Sequence, residues 1–475
     1  GLSVTSLRGL NTTDIAEFSS TQVGALSATQ LGAFSTTNFS ALDSAQVAGL
    51  TTTQMASLST TMMRGLNETD MTEFSTTQIG ALNQTQLGSL TSTAFAALDT
   101  TQVQALTVTQ LRGMTTTQVG GLTTSDVLEF TSTQLGSLAT TQLGAFSTTN
   151  LNTLDTTQLS GITSTQLGRL SQTNLSALDQ TQISSLTTTQ VRGLTTQQIA
   201  GLSTTDVNEF ADTQIASFAS TQIAALTVTN FSALDATQVG GLTTTQIAGM
   251  STTLLRGLNA TDIAELSTTQ LGAMSSVQYS ALTSTAFAAL DATQVAALTT
   301  TQLRGMTTTQ IGALDTADVA EFSATQLGSL ATTQINAFST TNLAALDETQ
   351  LGGLTSTQIG RLTSTNLSAL DASQITTLTT TQLSGLTALQ IAGLNTTDVN
   401  ELASTQLAAF AATQIAALNT TSFSALDATQ VSGLTATQIA GLGTTIIRGL
   451  NETDIAELST TQVGSLSALQ LTWLT

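Results

Sequence analysis

Carboxylates are the only reactive side chains that recur at a fixed spacing in this chain. Eight copies of Asp-Φ-x-Glu, with Φ a large apolar residue, set two acids three positions apart: Asp14/Glu17, Asp70/Glu73, Asp126/Glu129, Asp206/Glu209, Asp262/Glu265, Asp318/Glu321, Asp398/Glu401 and Asp454/Glu457. On a helix, positions i and i+3 project to one side, so each pair suits a hard cation such as calcium. Calcium takes about six to eight oxygens, and one pair supplies only part of that set. A structural reading competes with it: Asp caps a helix start while Glu pairs with an arginine. Arg8, Arg64, Arg256 and Arg448 each stand six residues before such an Asp, which suits that reading. Acid–base catalysis would need one distinguished site, and nothing sets one of the eight copies apart. No catalytic or cofactor-binding residue is expected, and the chain does not read as an enzyme.

The absences point the same way. The sequence holds no Cys, His, Lys or Pro, and all nine basic residues are Arg. Disulfides, thiolate zinc sites, histidine bases and Schiff-base lysines are thereby excluded. A net charge of −21 argues against nucleic acid, which needs clustered positive charge. No run of about 18 apolar residues exists, so no helical membrane span is expected.

What positions the acids is a repeat. From Leu7 to Leu471 an apolar residue falls at every eighth position, and a second series runs in the same step from Leu2 to Leu474. The hydroxyl of Tyr279 is the one polar group in either series. The octad reads [S/T/D/N]-x-T-[Q/N/D]-Φ-[G/A/S]-[A/G/S]-L, as in Asn83 to Leu90, and 59 of them follow without insertion or deletion. A longer period of 192 residues, or 24 octads, returns Arg-Gly-Leu-Asn at Arg64, Arg256 and Arg448. With no linker or shift in composition, residues 1–475 read as one continuous array.

Apolar spacings of three and five fit neither the alternation of a strand nor one face of a long helix. A Ser, Thr, Asp or Asn followed three residues later by Gln is the capping box that opens a helix. The spacing therefore predicts an N-cap, a helix of about two turns ending at Leu, and then the next N-cap. Charges agree with this frame. Of the 30 acids, 22 fall at the cap or in the first turn, and all nine Arg fall near the helix end, as the helix dipole favours. Such short helices are unstable alone, so they must stack through Φ and Leu, with the small residues between them allowing close approach. The expected fold is an all-α solenoid. Special residues recur at steps of 7, 3 and 10 octads, which about 3.4 octads per coil would bring onto one face. A β-solenoid with the Thr-rich tracts as strands is the alternative, and it leaves the capping box unexplained. Octads that begin with Ala, at Ala139, Ala211, Ala219, Ala331, Ala403 and Ala411, lack a cap and should each be weaker by about 1 kcal/mol.

Octads such as Thr51-Thr52-Thr53-Gln54-Met55-Ala56-Ser57-Leu58 resemble the repeat arrays of very large bacterial surface or secreted proteins. That resemblance implies an extracellular or cell-surface location and a structural or adhesive role, and it transfers no site residues. The expectation is a structural protein that builds a filament, sheath or stalk with copies of itself, at a cell surface or in a matrix. An adhesin stalk, or an ice-binding surface made by the regularly placed Thr, is the alternative.

Overall fold

The computed structural model describes residues 1–474. It contains 59 short α-helices, from Val4–Arg8 to Ala468–Leu471, one in every octad, and no strand among the described residues. The chain divides into two compact units, Gly1–Leu242 and Thr243–Thr475, each built the same way. Every helix spans four to six residues. The β-solenoid is ruled out, and the all-helical coil stands.

Each octad is opened by its cap. At the helix Thr76–Gly80, Ser75 is extended with φ −70° and ψ 159°, and its hydroxyl accepts from the Gln78 amide. In return Gln78 Oε1 accepts the Ser75 N–H at 2.9 Å, so two orphan donors of the helix start are satisfied together. The helix closes when the N–H of Leu82 donates to the Ile79 carbonyl at 3.1 Å. The kink lies at the junction of two octads. After the helix Thr52–Ser57, Leu58 and Ser59 are both extended, with ψ of 134° and 156°. Two extended residues turn the chain without any positive φ, and no described residue, glycine included, has one.

In the Ala-capped octads the side-chain half of the cap is missing, as at Ala139, but Gln142 Oε1 still accepts the Ala139 N–H at 2.7 Å. Gly443 is a further start without a side-chain cap.

Side chains at Φ and at the closing Leu fill the interior. Met55, Ile79 and Ile311 are fully buried, and Leu58 and Leu82 nearly so. Each contributes about 1.5–3 kcal/mol of apolar burial, which a helix of this length cannot supply from its own hydrogen bonds. Tyr279 is buried with them, and its hydroxyl donates to the Leu271 carbonyl at 3.0 Å.

Within each unit a helix packs on the third helix along: Ser44–Ala48 lies against Ser20–Gly24, and Thr308–Gly312 against Ser284–Phe287. Side-chain hydrogen bonds between successive coils join residues 25 to 31 apart, so one coil takes between three and four octads.

Glycine is used here for space rather than for conformation. A Cβ on Gly49, Gly113, Gly161 or Gly385 would overlap the first-turn carbonyl of the helix beneath, whereas Gly80 has nothing within 4 Å. Gly161→Ala, which drives a methyl into the Ser132 carbonyl, should cost about 2 kcal/mol. Gly80→Ala should instead stabilise by up to about 1 kcal/mol through helix propensity. Thermal melts of the two variants check this; shifts of the same sign would remove close approach as the reason for glycine.

Candidate functional site

The most repeated polar arrangement in the molecule belongs to the Gln that precedes Φ. Gln118 shows it in full. Its Oε1 accepts the N–H of its own cap, Thr115, at 2.7 Å, while Nε2 donates to the carbonyls of Leu87 and Leu90 in the coil below, at 2.9 and 3.0 Å. Leu90 ends its octad, and its carbonyl is an orphan that the Gln amide satisfies. Gln54, Gln134, Gln310 and Gln438 make the same pair of bonds 28 and 31 residues back. All of these glutamines are buried. Sequence reasoning assigned this Gln to the capping box alone. Its second role had a signal, because Glu would serve the box equally well and yet Gln fills the position. A carboxylate has no N–H to donate.

Other residues at this position show how the two tasks separate. Asn is one methylene shorter: Asn38, Asn150 and Asn230 each reach a carbonyl 28 residues back, at 2.7 to 3.0 Å, but make no box. Asp does the reverse. Asp14, Asp70, Asp126, Asp206, Asp262, Asp318, Asp398 and Asp454 all accept their cap N–H, at 2.7 to 2.9 Å, and donate nothing. A hydroxyl comes to meet the Asp across the coil in several copies: Ser40 donates to Asp70, Ser176 to Asp206, Ser368 to Asp398 and Ser424 to Asp454, at 2.6 to 2.8 Å. At Asp126 and Asp318 the equivalent residues are Ala96 and Ala288, which carry no hydroxyl.

The capping role read for Asp is therefore present, and for Glu73 the charged neighbours are acids rather than the arginine read for it. Glu17, Glu129, Glu209, Glu265, Glu321, Glu401 and Glu457 occupy the C-cap of their helices, and Glu73 the last helical position. Around Glu73, Glu129, Glu209, Glu321, Glu401 and Glu457 the charged neighbours are acids. Glu73, half-buried, is held above the ordinary carboxyl range by loss of solvent, then by Asp70, then by the cap Asp43 of the coil below. Glu209, Glu321, Glu401 and Glu457 are raised in the same way, with Asp179, Asp291, Asp371 and Asp427 in the place of Asp43. For Glu129 burial again leads; Thr100 opposes it by donating to Oε1 at 3.2 Å, and Oε2 is buried with no hydrogen-bond partner.

Arginine is spent elsewhere. Arg112, Arg192 and Arg304 donate Nε to the carbonyls of Ser137, Ser217 and Ser329, near the ends of helices one coil on, at 2.6 to 3.1 Å. The arrangement thus gathers three carboxylates at a corner and sends the guanidinium groups to helix C-termini, where the dipole favours them. Among the described residues no group of three or more acids has a geometry that could hold a metal ion. No helix is long and apolar enough to cross a membrane.

These features define a tandem-repeat helical solenoid. Residues 28–60, 95–132, 263–300, 287–324 and 311–348 match the ALTTAQ repeat. Five of the six letters stand in Ala297 to Gln302, with Thr301 in place of the second Ala, and they run through one corner of the coil from helix end through Leu and cap to the bridging Gln. No curated protein matches the chain.

The corner acids set a pH dependence. A carboxyl whose folded pKa is raised binds its proton more tightly in the folded state, so its ionisation costs stability. That cost is removed as pH falls from neutral through the raised values towards the ordinary 4.5 of Glu. Asp371 behaves oppositely: the hydroxyl of Ser373 and the amide of Gln374 lower its pKa below 3.8, and the stability its charge gives is lost in stronger acid. The melting temperature should therefore rise from pH 7 to about 4.5 and fall below about 3.8. A steady fall from neutral pH would contradict the corner arrangement.

Proposed function

We propose that the chain is a structural protein whose repeats build a filament, sheath or stalk outside the cell, by association with copies of itself. The observation that carries this reading is the Gln bridge. Each coil presents Leu carbonyls that the amides of the next coil satisfy, as Leu90 does for Gln118, so the fold is its own template. Repeat proteins of this kind gain stability from nearest neighbours, and length is the property they scale. The uniformity of the octads supports the same reading, since most are spent on caps, core and bridges. Negative-stain electron microscopy of the purified chain at rising concentration tests it. Filaments or ordered bundles that lengthen with concentration are expected; separate particles of one chain at every concentration would remove self-assembly.

A second reading, an ice-binding surface, is favoured by one observation. Thr53, Thr77 and Thr101 are exposed at the same place on the helices Thr52–Ser57, Thr76–Gly80 and Thr100–Ala105, which pack in succession. Thermal hysteresis and ice-recrystallisation assays decide it, and the absence of both effects at millimolar protein would end this reading.

A further inference from the structure

The residues that replace the bridging Gln are not scattered. From Asp70 onwards they fall at Ala94, Asp126, Asn150, Asn174, Asp206 and Asn230, in steps of three or four octads, and the next is the Leu254/Asp262 pair. The order from Ala94 returns 192 residues later, from Ala286 to Ser422. A coil also takes between three and four octads, so one corner per coil departs from Gln and these corners lie above one another. Contacts within the units show it: Glu68–Glu73 packs on Ser92–Ala96, and Thr124–Leu128 on Thr148–Thr153, which packs on Gln172–Leu175. The Ser176–Asp206 bond carries the line onward. In the second unit Ala260–Ala264 packs on Ser284–Phe287, and Thr316–Ala320 on Thr340–Ala344.

All 30 acids of the chain stand in these octads or in the octad that follows one. Two effects therefore coincide along one edge of each unit. The paired amide donors that tie coil to coil elsewhere are reduced there to a single Asn or Ser donor, to a hydroxyl on Asp, or to none at Ala94, Ala286 and Leu254. Like charges also face each other across the coils at this edge, as Glu73 faces Asp43, and Glu129 faces Asp99. Fewer bonds and more repulsion meet along this edge, while corners such as those of Gln118 and Gln198, where neither the octad nor the one below holds an acid, keep two bonds.

We propose that this acidic edge is a built-in hinge line: the coils open there and stay closed at the Gln corners, and dissolved salt sets the degree of opening by screening the carboxylates. The device is independent of whether the chain assembles into filaments.

Hydrogen exchange of the full chain, read by mass spectrometry at fixed pD, tests it at about 20 mM and about 500 mM NaCl, which span roughly a fivefold change in screening length. At low salt, peptides over Asp126 and Asp206 should exchange several-fold faster than those over Gln118 and Gln198, and high salt should slow only the former. Asp126→Gln removes a charge and restores a donor, so that corner should gain the protection of its neighbours. Gln118→Ala breaks a bridge where no acid stands and should speed local exchange without salt sensitivity. Equal protection around the coil, an edge insensitive to salt, or no change in Asp126→Gln would each overturn the proposal. Circular dichroism confirms that a variant has folded before it is scored.

Discussion

One buried amide governs this fold. The Gln before Φ has a carbonyl oxygen for its own helix start and an NH₂ for the backbone of the coil beneath, and both are out of water. An unpaired buried carbonyl costs about 1–3 kcal/mol, and every octad leaves one at its closing Leu. Without the bridge each kink would carry that cost; with it, kink and stacking are solved by a single side chain. The short helices, the absence of positive φ and the glycines placed for close approach all follow from bringing that amide within 3 Å of the coil below.

The local structure was legible in the sequence because its causes are local. Ser75, Gln78, Phe74 and Ile79 stand in an order that means a helix start, and no tertiary contact is needed to see it. The stacking was legible in outline, from like residues recurring at steps that fit a coil of three to four octads. What stayed hidden was everything that crosses a coil. Gln118 bonds to residues 28 and 31 positions back, distances that are not multiples of eight and so leave no mark on the octad pattern. The partners of Glu73 were misjudged for the same reason. Arg64 is near in sequence, but Asp43, thirty residues away, is near in space.

The acids illustrate how one side chain serves unequal purposes. At a cap, as in Asp43, the charge faces a helix N-terminus and is stabilised by it. At the C-cap, as in Glu209, it meets the wrong end of a dipole, partial burial and two other carboxylates. The second kind stands only in octads where Asp replaces Gln, which ties electrostatics and hydrogen bonding to the same edge, and makes the coil unequal around its axis although its repeats look uniform.

That inequality also bears on how such a chain can lengthen. Adding one octad would preserve every cap and leave the hydrophobic series intact, yet it would rotate all later corners by nearly a third of a turn and throw the acidic edge out of line. A block of 24 octads leaves the order of steps unchanged, because seven of them, from Asp70 to Asp262, fill that block. The 192-residue period is then a gear ratio: a unit of duplication that holds a whole number of the steps by which the acids recur.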